Sequence, residues 1–408
     1  MEETQVVVVG AGQAGLATSY WLTKRGIDHV VLERGRTGDS WLDRWDSFCL
    51  VTPNWTLNLP GFPYKGDDPD GFILRDQIAE YVLGYRAFLD APVLESTEVT
   101  QISRRVGEWA ITTLTGDWIA ESVVVATGAF PFKSVPKIAD SISPSVTQLH
   151  SQEYRRPSAL PKGGVLVVGS GQSGAQIVDD LAMAGQEVWF SIGQAAWAPR
   201  RYRGKDTTVW LKEIGFMQMR IDEAMRQRPS IMVSGRDGGK DLNLRTFGRD
   251  GVHLVGRVLD ADQSTLTLSD NVASIVDSAD EVAAQIQGQI DTHIAENGID
   301  APPSTVEPIE WAPAATPTQL DLYSADIRTV VWATGYHYDF SWVDADIFGK
   351  GGYPQQQRGV TSEGGLYFIG LHGMHTTASG LFSGVGQDAQ HITDHISTTL
   401  KKRLNPRP

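Results

Sequence analysis

Two apolar runs, each followed by a glycine-rich turn and a helical pattern, dominate the distribution of hydrophobic and polar positions along the chain. The runs at 6–9 and 165–168 have no polar face, which is typical of strands inside a parallel sheet. The helical patterns extend to Gly26 and Gly185, and a further strand follows each of them. This repeated strand–turn–helix–strand unit predicts an α/β fold with two Rossmann-like dinucleotide-binding domains.

The remaining pattern predicts smaller elements and linkers. Alternating apolar and polar positions at 252–270 predict a hairpin, and 275–297 predicts an amphipathic helix that ends near Gly298. A last helix is expected from Val385 to Leu400. Proline-rich stretches separate the periodic segments and indicate linkers, at 130–136, 156–164 and 301–317.

The first glycine turn has the spacing G-x-G-x-x-G. In such a turn Gly10 makes the tight bend, Gly12 lets backbone N–H groups approach a pyrophosphate, and Gly15 lets helix and strand pack closely. Glu33 ends the next strand, where a carboxylate can accept hydrogen bonds from both ribose hydroxyls. Strand, turn, helix and acid together predict a dinucleotide site. Its candidate residues are Gly10, Gly12, Gln13, Ala14, Gly15, Glu33 and Arg34.

The second turn repeats this spacing. Its candidate residues are Gly169, Gly171, Gln172, Ser173 and Gly174. Ser191 ends the following strand, in place of a carboxylate that would repel a 2′-phosphate. Downstream, three arginines can pair with such a phosphate through two parallel hydrogen bonds, at Arg200, Arg201 and Arg203. NADPH is therefore favoured over NADH, although a solvated basic loop is the alternative interpretation and the pattern does not choose among the three.

Two further segments each place a small-residue turn after an apolar strand. They contain Thr127 with Gly128 and Thr334 with Gly335. Small residues let a chain cross close to a nucleotide or to another strand. Two dinucleotide sites in one chain imply a path for hydride from a nicotinamide to a flavin.

Composition narrows the class of protein. A chain of 408 residues fits two or three domains, and its net charge of −14 argues against nucleic acid or an anionic membrane as a partner. We find neither a signal peptide nor the roughly 18 consecutive apolar residues of a membrane span, so we expect a cytoplasmic enzyme. Cys49 is the single cysteine, which excludes both an intramolecular disulfide and a Cys-x-x-Cys redox pair.

At this point the sequence resembles the flavin-containing monooxygenase family over nearly its whole length. Besides both glycine motifs, the resemblance includes the segments 38–45, 52–54, 59–63 and 333–336. It looks most similar to bacterial single-chain members akin to the plant auxin-forming flavin monooxygenases.

The resemblance implies FAD and NADPH as cofactors and no metal. It places a FAD domain at 1–157 and 325–408, with an NADPH domain inserted at 158–324. By elimination, the stretch at about 204–317 is expected to be a substrate-side elaboration. It further implies that NADPH reduces FAD, that NADP⁺ stays bound, and that O2 adds at flavin C4a. The resulting (hydro)peroxide would insert one oxygen atom into a small organic substrate.

The chain departs from the family pattern between the two nucleotide motifs. His150 and Tyr154 preserve the end of the family's F-x-G-x-x-x-H-x-x-x-(Y/F) motif, but Pro144 and Val146 replace its Phe and Gly. Tyr154 in place of Trp favours N- or S-oxygenation over Baeyer–Villiger oxidation of ketones.

The resemblance also suggests residues around the flavin. An Asn that steadies the peroxide in several members is matched by Thr52 or by Asn54, and the sequence does not choose between them. Trp41, Arg44 and Trp45 are expected along the cofactor, with a cap on a neighbouring helix as the alternative for Arg44. Gln172 is expected near the junction of flavin and nicotinamide, with an ordinary polar turn residue as the alternative. The loop that contains His375 and Leu381 precedes the last helix, whose start can stabilise negative charge on a reduced flavin. His375 is also a candidate proton-transfer group, and a hydrogen-bonded loop histidine is the alternative.

Several functions therefore compete. The leading hypothesis is an NADPH- and O2-dependent monooxygenase that acts on a nucleophilic nitrogen or sulfur or on an aromatic ring. The alternatives are an NADPH oxidase or flavin reductase without oxygen insertion, a Baeyer–Villiger monooxygenase, and a non-catalytic flavin or NADPH sensor. The expected partners are a small-molecule substrate and O2, and a homodimer is compatible with the sequence.

Overall fold

A computed structural model describes residues 1–128, 132–222, 231–314 and 316–404. Two large sheets organise these residues. The first sheet combines strands from both ends of the chain, with Glu2–Val9 parallel to His29–Leu32 on one side and to Trp118–Val125 on the other. Its other strands are Val93–Leu94, Val99–Arg104, Trp109–Thr113, Gln356–Gln357, Val360–Thr361 and Leu366–Phe368. We call this part the first domain.

The second sheet is parallel throughout and forms the second domain. Its strands lie in the order Thr147–His150, Ile327–Trp332, Gly164–Val168, Val188–Ser191 and His253–Val255. The predicted α/β fold with two Rossmann-like units is thus confirmed. The predicted boundaries at 157 and 325 need correction, because Thr147–His150 and Ile327–Trp332 hydrogen-bond within the second sheet.

Helices and small sheets complete the described chain. The α-helices of the described residues span Gln13–Lys24, Asp39–Leu42, Arg75–Leu89, Gln172–Met183, Thr207–Glu213, Leu244–Arg249, Val272–Glu296 and Val385–Leu404, and a five-residue 3-10 helix spans Lys137–Ser141. The predicted hairpin is formed by Val258–Asp262 and Thr265–Leu268, which Gln319–Asp321 extends to three strands. A further small sheet contains Ala196–Trp197, Ile231–Ser234 and Lys240–Asp241. Two-stranded ribbons pair Asn58–Leu59 with Phe62–Pro63 and Arg201–Tyr202 with Lys205–Asp206.

The two connections between the domains run side by side. Phe132–Lys133 pairs antiparallel with Tyr336–His337, and the Ser134 N–H donates to the Gly335 carbonyl over 3.0 Å. Residues 130 and 131 of the first predicted linker, and residue 315 of the third, lie outside the described residues. The chain therefore enters and leaves the second domain at one place.

A buried ion pair ties the second domain to the first. Arg200 is 2% exposed, and its guanidinium lies 2.7 Å from the Asp206 carboxylate. The same guanidinium donates to the Val51 carbonyl of the first domain over 2.7 Å and lies 4.3 Å from the centre of the Phe72 ring. Arg200 thus holds the junction between the two domains.

Replacing Arg200 with Met should destabilise the protein even without nucleotide. The change leaves the Asp206 carboxylate buried without its cation, which costs about 3–5 kcal/mol of unfolding free energy. Denaturant unfolding of the ligand-free protein measures this loss. Arg249→Met is the control, because Arg249 pairs with Asp250 on an exposed surface and its loss should not change stability measurably. An Arg200→Met variant of full stability that binds NADPH weakly would instead favour the predicted role in phosphate binding.

Candidate active site

The first glycine turn requires two of its glycines for internal packing. Gly10 has φ of +105°, and a Cβ atom added there would lie 2.7 Å from the Ala126 carbonyl oxygen. A Cβ atom on Gly15 would lie 1.8 Å from the Gly10 carbonyl oxygen. Glycine at these positions therefore lets the helix start, the turn and the neighbouring strand end come together.

The second turn repeats this arrangement. A Cβ atom on Gly169 would lie 2.4 Å from the Ala333 carbonyl oxygen, and one on Gly174 would lie 1.9 Å from the Gly169 carbonyl oxygen. The predicted small-residue turns thus hold equivalent places. Thr127–Gly128 directly follows the residue that touches the first turn, and Thr334–Gly335 follows the residue that touches the second.

The middle glycine of each turn has no such packing reason. A Cβ atom on Gly12 or Gly171 would meet no described atom within 4 Å. Both residues lie at the start of a helix whose first turn contains no acidic side chain. Open space, free backbone N–H groups and the positive end of a helix dipole fit a pyrophosphate at each turn. Ser173, in the first turn of the second of these helices, is half-buried.

Glu33 lies against the first turn. One of its carboxylate oxygens accepts from the Ala11 N–H over 2.7 Å, and the other accepts from the Gly35 N–H over 3.0 Å. These bonds fix the carboxylate and leave each oxygen a further lone pair. The position fits the predicted ribose contact. Arg34, next in the chain, is exposed.

At the second turn an apolar residue takes the place of Glu33, and the residue predicted for this place needs correction. Val9 pairs with Leu32 in the first sheet, and Val168 pairs with Ser191 in the second. Ser191 therefore matches Leu32, and the residue that matches Glu33 is Ile192. Ser191 is 1% exposed and donates to the Gly256 carbonyl over 3.0 Å, so its hydroxyl already has a partner inside the sheet.

The three predicted phosphate-binding arginines have different surroundings. Arg200 belongs to the buried pair with Asp206 and is corrected from a phosphate ligand to a structural residue. Arg203 is likewise engaged, at 2.8 Å from the Asp291 carboxylate. Arg201 is exposed and donates to the Gly238 carbonyl over 3.2 Å. Of the three, Arg201 has no carboxylate partner among the described residues.

The loop before the last helix lies beside the start of the first helix. The Gln13 amide donates to the Gly380 carbonyl over 3.3 Å, and a Cβ atom on Gly370 would lie 2.7 Å from the Ala14 Cβ. Leu381 in this loop is 39% exposed. Residues from the two ends of the chain thus meet at the first glycine turn.

The buried indole N–H of Trp41 also indicates a ligand near this turn. Its indole stacks on Phe382, with ring centres 5.5 Å apart. The indole N–H is buried and has no hydrogen-bond partner in the part of the chain that the structure describes. A buried donor without an acceptor is costly, and a cofactor oxygen or nitrogen would satisfy it. Arg44, also predicted along the cofactor, lies 5.9 Å from the Phe48 ring centre.

Two predicted site residues use their amide groups for hydrogen bonds to the backbone. The Asn54 amide donates to the Asp68 carbonyl over 2.9 Å and accepts from the Ile73 N–H over 2.7 Å, so it holds its own loop. The Gln172 amide donates to the Val233 carbonyl and accepts from the Val233 N–H, as a neighbouring strand would. Thr52, the other alternative for the oxygen-side residue, is half-buried, and its hydroxyl lies 2.8 Å from the Thr56 hydroxyl. The role of either residue beside the flavin stays a prediction.

His375 is half-buried, and burial lowers the pKa of its imidazole, with the nearby cation Arg358 acting in the same direction. A neutral imidazole at neutral pH can accept a proton. Its carbonyl accepts from the Ile221 N–H over 3.3 Å, so this loop also contacts the second domain. The hypothesis of a proton-transfer role therefore stays a prediction.

The tryptophans of the second domain are used for packing. Trp197 is 7% exposed and donates to Asp280, while Trp210 is fully buried and donates to the Tyr202 carbonyl.

Within the described residues, no group of three or more His, Cys, Asp and Glu side chains is arranged to share a metal ion. No helix found there combines the length and the apolar composition needed to cross a bilayer.

A polar cluster that was not predicted from the sequence surrounds Asp180, in the helix that begins at the second turn. The Asp180 carboxylate accepts from the Tyr154 hydroxyl over 2.6 Å, from the Ser47 hydroxyl over 2.7 Å and from Arg236 over 2.9 Å. Two adjacent acids, Asp179 and Asp180, on an otherwise buried helix were the signal available in the sequence.

Alanine at Gly12 should affect cofactor binding, whereas alanine at Gly15 should affect the stability of the fold. Gly12→Ala should leave the melting temperature of the ligand-free protein unchanged, because its Cβ meets open space, and should weaken binding of FAD by crowding the pyrophosphate. Gly15→Ala should destabilise the ligand-free fold itself, because its Cβ would overlap the Gly10 carbonyl. Thermal unfolding and FAD titration of both variants test this, and equal melting temperatures for the two would contradict it.

Comparison with known proteins agrees with this geometry. The family model described as pyridine nucleotide-disulphide oxidoreductase matches residues 7–237. A protein of Geobacillus kaustophilus named uncharacterized oxidoreductase CzcO-like is 33% identical, over 96% of this chain and 97% of its own length. The Arabidopsis thaliana protein named probable indole-3-pyruvate monooxygenase YUCCA3 is 25% identical, over 97% of this chain and 87% of its own.

Among solved structures, the flavin-containing monooxygenase from Stenotrophomonas maltophilia has the same fold, with a TM-score of 0.68 and 20% identity. The likeness covers 98% of this chain and 100% of that one. The resemblance inferred from the sequence motifs is thereby confirmed. The chain belongs to the pyridine nucleotide-disulphide oxidoreductase family and is an oxidoreductase of the flavin monooxygenase type.

Proposed function

We propose that the protein is a cytoplasmic, NADPH- and O2-dependent monooxygenase that holds FAD at the first glycine turn and NADPH at the second. The observation that carries the proposal is the duplication of one turn geometry, with an open middle glycine at Gly12 and again at Gly171. Transfer of electrons from one dinucleotide to the other would explain why one chain has two pyrophosphate sites.

FAD is assigned to the first turn because residues from both ends of the chain converge there. Glu33 would bind the ribose, and the backbone around Gly12 would bind the pyrophosphate. The Trp41 indole N–H would gain an acceptor, which none of the described residues gives it. When bound, the flavin supplies hydride acceptance and reaction with O2.

NADPH is assigned to the second turn because the residue equivalent to Glu33 is the apolar Ile192. An acid at this place would repel the 2′-phosphate. Arg201 is the arginine of the predicted three that is left to pair with it, since Arg200 and Arg203 are bound to Asp206 and Asp291.

Oxygen insertion is favoured over simple oxidase activity by the kind of relatives the chain has. The Arabidopsis protein, which is similar to this chain over 87% of its own length, is named as a probable monooxygenase. We propose a small organic substrate with a nucleophilic nitrogen or sulfur or an aromatic ring. Tyr154 does not support this choice of branch, because it is fully buried and donates to Asp180.

Isotope labelling under single-turnover conditions tests the reaction. NADPH should bleach bound flavin rapidly without oxygen. ¹⁸O2 should then place one ¹⁸O atom in the product formed from an amine, sulfide or indole substrate for each NADPH consumed. Hydrogen peroxide that accounts for all the NADPH would establish an oxidase instead. Bound flavin that NADPH bleaches slowly or not at all would favour the sensor.

Replacing Arg201 with Gln tests the choice of NADPH. The change removes a charge-assisted contact with the 2′-phosphate and should raise the KM for NADPH about tenfold or more, while the KM for NADH changes little. Arg249→Gln, on an exposed surface with Asp250, should change neither constant. Equal increases in both constants for Arg201→Gln would show that this arginine does not recognise the phosphate.

A further inference from the structure

A short segment of the first domain is inserted into the second. Trp45 follows helix Asp39–Leu42 and is 2% exposed. It was expected along the cofactor, but it belongs to the buried core cluster of the second domain, which also contains Val165 and Ile177. Its ring centre lies 6.4 Å from that of Tyr154. An aromatic side chain of one domain thus contributes to the hydrophobic core of the other.

Polar contacts on either side of Trp45 fix this insertion. The Asp46 N–H donates to the Arg155 carbonyl of the second domain over 2.8 Å. The Ser47 hydroxyl donates to the Asp180 carboxylate over 2.7 Å. Asp46 also pairs with Arg156 at 3.1 Å, although both side chains are largely exposed and this pair contributes little.

Other residues of the second domain fix the Asp180 carboxylate that accepts the hydrogen bond from Ser47. The carboxylate is 5% exposed, and the second domain supplies the Tyr154 hydroxyl at 2.6 Å and Arg236 at 2.9 Å as further donors. Burial raises the pKa of the Tyr154 phenol, and the Asp180 carboxylate acts in the same direction, so the phenol keeps its proton and donates. The Ser47 contact is the one of these three that crosses between the domains.

Asp180 lies on the helix that begins at the second glycine turn. Eight residues separate it from Gln172 at the helix start, which corresponds to about 12 Å along a rigid element. A displacement at Asp180 therefore moves the turn and the helix start with it. Transfer of hydride depends steeply on distance, and a misplacement of about 1 Å can cost a hundredfold in rate.

We propose that Trp45 and Ser47 are positioning residues, which dock on Tyr154 and Asp180 and so set the second glycine turn at the distance that hydride transfer to the flavin requires. This inference rests on the proposed function for its catalytic consequence. Neither residue touches a reacting atom in this proposal. They act through the helix that Asp180 belongs to.

Ser47→Ala is the test variant, because it removes the cross-domain hydrogen bond and leaves Asp180 with its other two donors. We expect the limiting rate of anaerobic flavin reduction by NADPH to fall about fivefold or more, with the Kd for NADPH changed less than twofold. Reoxidation by O2 of enzyme reduced with dithionite should be unchanged, because that step does not use the second domain's position.

Ser264→Ala is the matched control. The Ser264 hydroxyl donates to the Asp321 carboxylate over 2.6 Å within the second domain, so the same chemistry is lost without affecting the domain junction. Its reduction rate should equal that of the wild type. A reduction rate for Ser47→Ala that equals that of Ser264→Ala would overturn the positioning role.

Hydrogen exchange on the ligand-free protein supplies a readout that needs no cofactor. The Asp46 amide should exchange about fivefold faster in Ser47→Ala than in the wild type, and not in Ser264→Ala. Unchanged exchange would overturn the docking even if reduction slowed. If wild-type flavin is not reduced by NADPH, the proposed function fails, and faster exchange at Asp46 would still establish the docking.

Discussion

The close approach of backbone to backbone at the two glycine turns is the constraint on which the rest of the structure depends. At each turn, the third glycine of the motif lies over the carbonyl of the first, and the first lies against the end of a neighbouring strand. Contacts of this kind leave no volume for a Cβ atom. They bring the start of a helix, with its unpaired N–H groups, to the carboxyl edge of a parallel sheet. The middle glycine then faces open space, which is where a ligand can be expected.

The two turns have the same geometry and different electrostatics. Glu33 brings a carboxylate to the first turn, and Ile192 brings an apolar side chain to the equivalent place at the second. The duplicated frame therefore presents two chemically distinct surfaces, one suited to a free ribose and one that tolerates a 2′-phosphate. With Cys49 as the single cysteine, a relay of electrons through a cysteine pair is excluded. Direct transfer between two bound dinucleotides is the route that this arrangement supports.

Both Rossmann-like units could be predicted from the sequence, because strand, turn, helix and acid are local signals with a fixed spacing. The domain boundaries could not, since Thr147–His150 and Ile327–Trp332 are short strands whose sheet is decided by partners far along the chain. Side-chain partners could not be predicted for the same reason. Asn54, Gln172 and Arg200 each form a hydrogen bond to a backbone carbonyl elsewhere in the chain that no motif reveals. Ser191 was misplaced by one residue, which the strand register resolves.

The features that sequence reasoning could not reach are concentrated where the domains meet. Trp45 packs in the core of the second domain, and Arg200 from that domain binds the Val51 carbonyl of the first. Each domain therefore contributes a buried side chain to the other, on top of the paired linkers at 132–133 and 336–337. A chain that only had to bind two nucleotides would need no such exchange. A chain that must hold two ring systems in contact needs these buried contacts, because flexible linkers alone would not fix the distance between the rings. The buried contacts between the domains are thus better explained by electron transfer than by binding.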